Sequence, residues 1–124
     1  MTELDYIRFL DRHPELTTHG FGVDRDQIYD VKILHEELKN YYDVFSLCVD
    51  MLKNCYDIAA GKKNEMDSYS LKHKAEKYID KVLHKAMYVP EGVLVAAVVF
   101  LFSSYKRSKR GTGILIGLKA VPIV

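Results

Sequence analysis

"VKILHEELKNYYDVFSLCVDMLKNCYDIAAG", residues 31–61, carries the pattern on which the fold reading turns. Val31, Leu34, Leu38, Tyr41, Phe45, Cys48, Leu52, Cys55 and Ala59 recur at alternating steps of three and four. That spacing keeps them on one helix face and makes a heptad seam. Upstream, Asp24 with Gln27 three residues on forms a capping box, and Gly61 is a natural stop. The reading is one long helix of about 36 residues, about 54 Å at the helical rise. Tyr, Phe, Cys and Ala fill seam positions where a dedicated coiled coil prefers Leu and Ile. The seam is therefore expected to face neighbouring helices of the same chain; the alternative is a homodimer paired along residues 31–59.

Shorter elements flank this helix. Thr2 with Asp5 reads as an N-cap, followed by a stripe of Leu4, Ile7 and Leu10 with Tyr6, ended at His13-Pro14. Residues 15–23, "ELTTHGFGV", have no period and two glycines and read as loop. After the polar "KKNEMD", Asp67 or Ser68 caps a helix over 68–87. Leu71, Ala75, Tyr78, Ile79, Val82, Leu83 and Ala86 form its apolar face, and Lys72, Lys74, Lys77, Lys81 and Lys85 take much of the rest. Pro90 ends it, and Pro90-Glu91 makes a favourable first turn for another helix.

That next helix contains the unbroken apolar run Val93–Phe102. Ten residues reach about 15 Å, half the hydrocarbon thickness of a bilayer, so the run does not span a membrane. A helix apolar on all sides belongs in a core. The end, "GTGILIGLKAVPIV" (residues 111–124), is β-prone and needs support from the helices or from another chain. The expected fold is mostly α: a single helical domain over 1–124, a small bundle with one long central helix and a short extended or β C-terminal tail.

Composition narrows the function classes. The 124 residues are 48% apolar and 28% charged, ordinary for a globular domain. "MTELDYIRFLDRH" has acids where a signal peptide needs cations, so a cytoplasmic location is expected. Cys48 and Cys55, seven apart on one helix, lie about 10 Å apart along the axis and are expected as free thiols in a reducing compartment. Residues 1–61 hold 6 Lys/Arg against 12 Asp/Glu, net −6, and residues 62–124 hold 12 against 5, net +7. Such halves either pack on each other or present one face to a charged partner.

Catalytic and cofactor signatures are missing, so the expectation is a non-enzyme without cofactor. Gly111, Gly113 and Gly117 lack dinucleotide spacing, and the sequence places them after a helix C-terminus. His73, Asp80 and His84 share a helix face, but Lys77 and Lys81 beside them oppose a metal cation. His35 between acids reads as part of a solvated face, and Cys48 on a packed seam as inert. Two candidate binding surfaces remain. Lys106, Arg107, Lys109 and Arg110, with Tyr105 for stacking, form a basic cluster suited to phosphates. Glu36, Glu37, Asp43, Asp50 and Asp57 line an acidic face of the long helix that could imitate phosphates to a basic partner.

Two stretches carry a resemblance. "SYSLKHKAEKYI" (Ser68–Ile79) followed by "YVPEGVLVAAVVF" (Tyr88–Phe100) resembles a pattern of small phage and mobile-element proteins. In that pattern an S-Y-x-L-K-H-x-x-E helix leads into Y-V-x-N-G and an alanine-rich apolar helix. The match covers residues 68–100 and departs at Glu91, where the pattern has Asn, and in a longer spacer, "DKVLHKAM". The resemblance implies a phage or mobile-element origin, and small proteins of that kind without catalytic signatures commonly act by binding. The expected function is an inhibitor of a host defence system of the anti-CRISPR type, acting stoichiometrically on a host protein or ribonucleoprotein complex in the host cytoplasm. The alternative is a nucleic-acid-binding accessory protein using the C-terminal basic cluster.

Overall fold

The computed structural model describes residues 1–23, 30–109 and 111–121. The expected Asp24–Gln27 capping box lies outside the described residues. Helix α1 (Glu3–Asp11) starts at the expected cap: Thr2 Oγ1 accepts from the Asp5 N–H at 3.2 Å, and Thr2 N–H donates to Asp5 Oδ2 at 3.0 Å. Its buried face is Tyr6, Phe9 and Leu10, while Leu4 is exposed. Residues read as loop form a hairpin of β1 (Leu16–Thr17) and β2 (Gly20–Phe21).

The long helix does not form. Residues 31–58 instead make α2 (Val31–Leu38), a 3-10 turn over 39–41, α3 (Tyr42–Cys55) and β3 (Tyr56–Ile58). The seam side chains Leu34, Leu38, Phe45, Cys48 and Leu52 are buried as expected, within this chain's own core. Two forces break the helix that periodicity predicts. Tyr6 is wholly buried and its hydroxyl needs an acceptor. It donates to the Leu38 carbonyl, the group an uninterrupted helix would offer to the Tyr42 N–H. Tyr41 then leaves helical geometry at φ −109°, ψ 28°. At the other end, the C-terminal segment captures the chain: Val121 N–H donates to the Cys55 carbonyl and Tyr56 pairs with Ala120.

That C-terminal segment is β6 (Ile114–Ala120), the central strand of an antiparallel sheet. It pairs with β3, with β4 (Glu65–Asp67) and with β5 (Lys106–Arg107). Ile114, Ile116 and Leu118 alternate into the core, as a strand's period of two requires. The expectation of a helical bundle with one long central helix is thus corrected to an α+β fold. The tail read as an accessory organises the sheet.

Asp67 caps α4 (Ser68–Leu83), its carboxylate accepting from the Ser70 N–H at 2.7 Å. This helix stops four residues short of the expected end, at His84, which adopts a left-handed backbone at φ 53°. Val82 and Leu83 are therefore exposed instead of lying on a buried face. Helix α5 (Glu91–Leu101) is the expected central element, buried from Gly92 to Val98 and packed on α3, α4 and the hairpin. No described helix is long and apolar enough to cross a membrane.

Close approach fixes how α5 meets the hairpin. Gly92 N–H donates to the Thr18 carbonyl at 2.9 Å, and a Cβ at Gly92 would overlap the Thr17 and Thr18 backbone. Gly92→Ala is expected to cost about 2–3 kcal/mol, because rigid backbone must move. Thermal unfolding should then show a Tm about 8–12 °C lower. An unchanged midpoint would contradict this packing.

Candidate functional site

The basic cluster expected at a helix C-terminus lies instead on and after β5. Lys106 Nζ pairs with Glu65 Oε2 at 3.3 Å. The Arg107 guanidinium sits 4.5 Å over the Phe21 ring, and Tyr105 stacks on the same residue, centroids 6.1 Å apart. Three of the expected contact groups are thus engaged within the chain. Lys109 is exposed, and Arg110 lies outside the described residues.

The acidic side chains are all exposed, but they no longer share one helix face. Glu36 and Glu37 lie on α2, Asp43 and Asp50 on α3, and Asp57 on β3. Lys39 bridges Asp11 at 3.0 Å and Glu36 at 3.1 Å, which takes one acid out of the set.

A third surface is assembled where α4 ends early. After His84 the chain doubles back along α4 and is tied to the helix at three points. Val89 N–H donates to Glu76 Oε2 at 3.1 Å. The Lys72 ammonium lies 4.4 Å over the Tyr88 ring, and Ser68 Oγ donates to Glu91 Oε2 at 2.6 Å. Ser68 Oγ also accepts from the Ile114 N–H at 3.0 Å, joining this strap to β6. A Cβ on Gly113 would crowd both Ser68 Oγ and Glu91 Oε2.

Glu76 is the hub. Besides the Val89 amide it takes the Lys72 ammonium at 3.2 Å on Oε2, and His73 Nδ1 lies 3.0 Å from Oε1. An ionised carboxylate only accepts, so His73 Nδ1 carries the hydrogen of this contact. The Lys72 side chain is 9% exposed, with the Glu76 carboxylate and the Tyr88 face as its partners. Burial raises the Glu76 carboxyl, but the Val89 N–H and then Lys72 and His73 outweigh it and hold it below its ordinary 4.5.

Between α4 and the strap lies a groove of about 640 Å³ lined by His73, Glu76, Lys77, Asp80, Met87 and Tyr88. Tyr88 is 69% exposed and Tyr69 59%, and Tyr69 meets the His73 ring edge-on at 4.6 Å. A chain of contacts therefore runs Tyr69–His73–Glu76–Lys72–Tyr88, with an exposed aromatic ring at each end. Lys74, Lys77 and Lys81 are exposed on the same helix at steps of three and four, one stripe beside the groove.

These groove residues were not among those singled out from the sequence as contacts. The Lys72–Glu76 spacing of four was visible, but the early stop at His84 was not, and without it Tyr88 has no route back to Lys72. Residues 68–79 and 88–100 are the two stretches that clasp each other here.

Other reactive groups are spent structurally. Burial, with the Glu76 charge adding to it, pushes the Cys48 thiol up to about 12, which leaves it protonated at neutral pH. His35, expected on a solvated face, is buried with Nδ1 2.7 Å from the Leu16 carbonyl. His84 leaves the helix face it was expected to share with His73. Among the described residues no cluster of three metal-ligating side chains forms. No protein-family profile, curated protein or solved structure matches this chain.

Glu76→Gln removes the charge that balances Lys72 and is expected to cost about 1–3 kcal/mol near neutral pH. Because the folded carboxyl titrates below its ordinary 4.5, this stability is present above that pH and is lost as the pH falls through the folded value. Urea unfolding of both proteins should show their gap closing as the pH falls below 4.5. A gap constant from neutral pH to acid would refute the role given to the carboxylate.

Proposed function

We propose that this chain is a non-enzymatic binding protein of the phage or mobile-element kind, acting by stoichiometric occupation of a host complex that carries nucleic acid. Inhibition of a host defence system, of the anti-CRISPR type, is the setting in which such occupation has its effect, and the host cytoplasm is where it occurs. The observation that carries the binding reading is the surface around α4, where Tyr69 and Tyr88 stand exposed beside Lys74, Lys77 and Lys81. Exposed aromatic rings among cations are the composition of a recognition surface.

The groove supports binding over acid–base catalysis. Glu76, its most enclosed carboxylate, is held ionised by three donors and is poorly suited to take a proton at neutral pH. The cluster around Tyr105 has weaker claims as the working surface, since Lys106, Arg107 and Tyr105 already have partners within the chain. The acidic side chains on α2, α3 and β3 are dispersed over three elements, which suits phosphate imitation less well than one continuous face.

The test is a tagged pull-down from bacterial lysate with the natural chain and with Lys74→Glu/Lys77→Glu/Lys81→Glu. The natural chain should retain one complex in stoichiometric amount, and the reversed chain should lose it while keeping its circular dichroism. Equal retention by the two chains would refute the α4 surface. Loss on reversing Glu36, Glu37 and Asp43 instead would assign the contact to the acidic side chains.

A further inference from the structure

We infer that the groove between α4 and residues 84–90 is a binding site for single-stranded nucleic acid, with phosphates on the Lys74–Lys77–Lys81 stripe and a base stacked on Tyr88. The inference rests on the binding reading above and names the chemistry of the partner. Three features of the surface converge on it.

The first is charge. Lys74, Lys77 and Lys81 are exposed, and none has an ion pair among the described residues. They span about 10 Å along the helix, room for two or three phosphates of an extended strand. Lys85 follows just beyond the helix end and is also exposed.

The second is the aromatic pair. Tyr88 is 69% exposed, and the Lys72 ammonium lies 4.4 Å over one face of its ring. One face resting on a cation leaves the other for a flat ligand, and every base has a flat face to offer. Tyr69, supported edge-on by His73, places a second ring at the other end of the same contact chain. Duplex DNA keeps its bases stacked on each other and offers such rings nothing, so the surface favours unpaired strands.

The third is the placement of acids. Glu76 lies in the groove with its charge offset by Lys72, and Asp80 lines the groove beside it. Carboxylates repel phosphate but accept hydrogen bonds from the amino groups of bases. The surface thus separates into a cationic stripe for the backbone and a groove with aromatic ends and carboxylates for bases. An acidic peptide would use the stripe but would leave the rings and Asp80 without a role.

The test is fluorescence anisotropy with a labelled, mixed-sequence single-stranded oligodeoxynucleotide of about twelve nucleotides, a typical site size. Saturable binding is expected, with log K falling against log salt at a slope of about −1.4 to −2.1, as two or three phosphates require. Lys74→Ala/Lys77→Ala/Lys81→Ala should flatten that slope. Tyr88→Ala should weaken binding by about 5- to 150-fold, the worth of one stacked base, with the slope unchanged. Tyr88→Phe, which keeps the ring, should restore it.

Failure to bind the oligonucleotide would overturn the inference. So would displacement by polyglutamate as readily as by unlabelled strand, or duplex of the same sequence binding as tightly with Tyr88→Ala neutral. The two readings separate in the pull-down when nuclease is added. A partner held by the natural chain after nuclease, lost by the lysine reversals and accompanied by no oligonucleotide binding, sinks this inference and leaves the binding reading intact. Oligonucleotide binding as described, with no complex recovered from lysate, does the reverse.

Discussion

The carboxylate of Glu76 accepts from the Lys72 ammonium, the Val89 amide and His73, and much of the molecule's shape around its exposed helix depends on that set of bonds. A nearly buried ammonium is unstable without a counter-charge, and an amide leaving water needs an acceptor. One side chain meets both needs. In doing so it fastens the strap of residues 84–90 along α4 and sets where Pro90 and Glu91 begin the buried helix α5. Ser68 repeats the arrangement two turns earlier, linking Glu91 to the first residue of β6. The groove is the space left between a helix and a strap whose separation these bonds fix.

The same wiring explains the distribution of charge. The basic second half of the chain is not spread evenly over the surface. Lys72 is consumed inside, Lys106 and Arg107 are met by Glu65 and Phe21, and of the cations left toward solvent Lys74, Lys77 and Lys81 share one stripe on α4, while Lys62, Lys63, Lys109 and Lys119 are exposed elsewhere. The acidic first half is divided among α2, α3 and β3, and part of it is met by Lys39. The two halves pack around one core without pairing most of their charges, which leaves the lysine stripe available to a partner.

Local chemistry was legible in the sequence wherever it acts through neighbours. The caps at Thr2 and Asp67, the burial of the 34–52 seam and the all-apolar α5 follow from spacing and residue type. What escaped was decided over long distances. The Tyr6 hydroxyl reaches 32 residues along the chain to the Leu38 carbonyl, and no periodicity near residue 38 records that competition. Residues 56–58 continue a helical pattern, yet β6 claims them from 60 to 64 residues away. His84 stops α4 in a left-handed backbone that a non-glycine residue seldom adopts, so a helix carried on to Met87 was the natural expectation. The site was missed for that same reason, since the groove exists only because the chain turns there.

The α4 groove, in place of the strand that carries Lys106, is proposed as the working surface. Amide chemical shifts of the isotope-labelled chain, followed while a single-stranded oligonucleotide is added, test it most directly. The largest shifts are expected to cluster at Tyr69, at residues 73–81 and at Tyr88. Shifts confined to residues 105–109, with α4 unmoved, would contradict it.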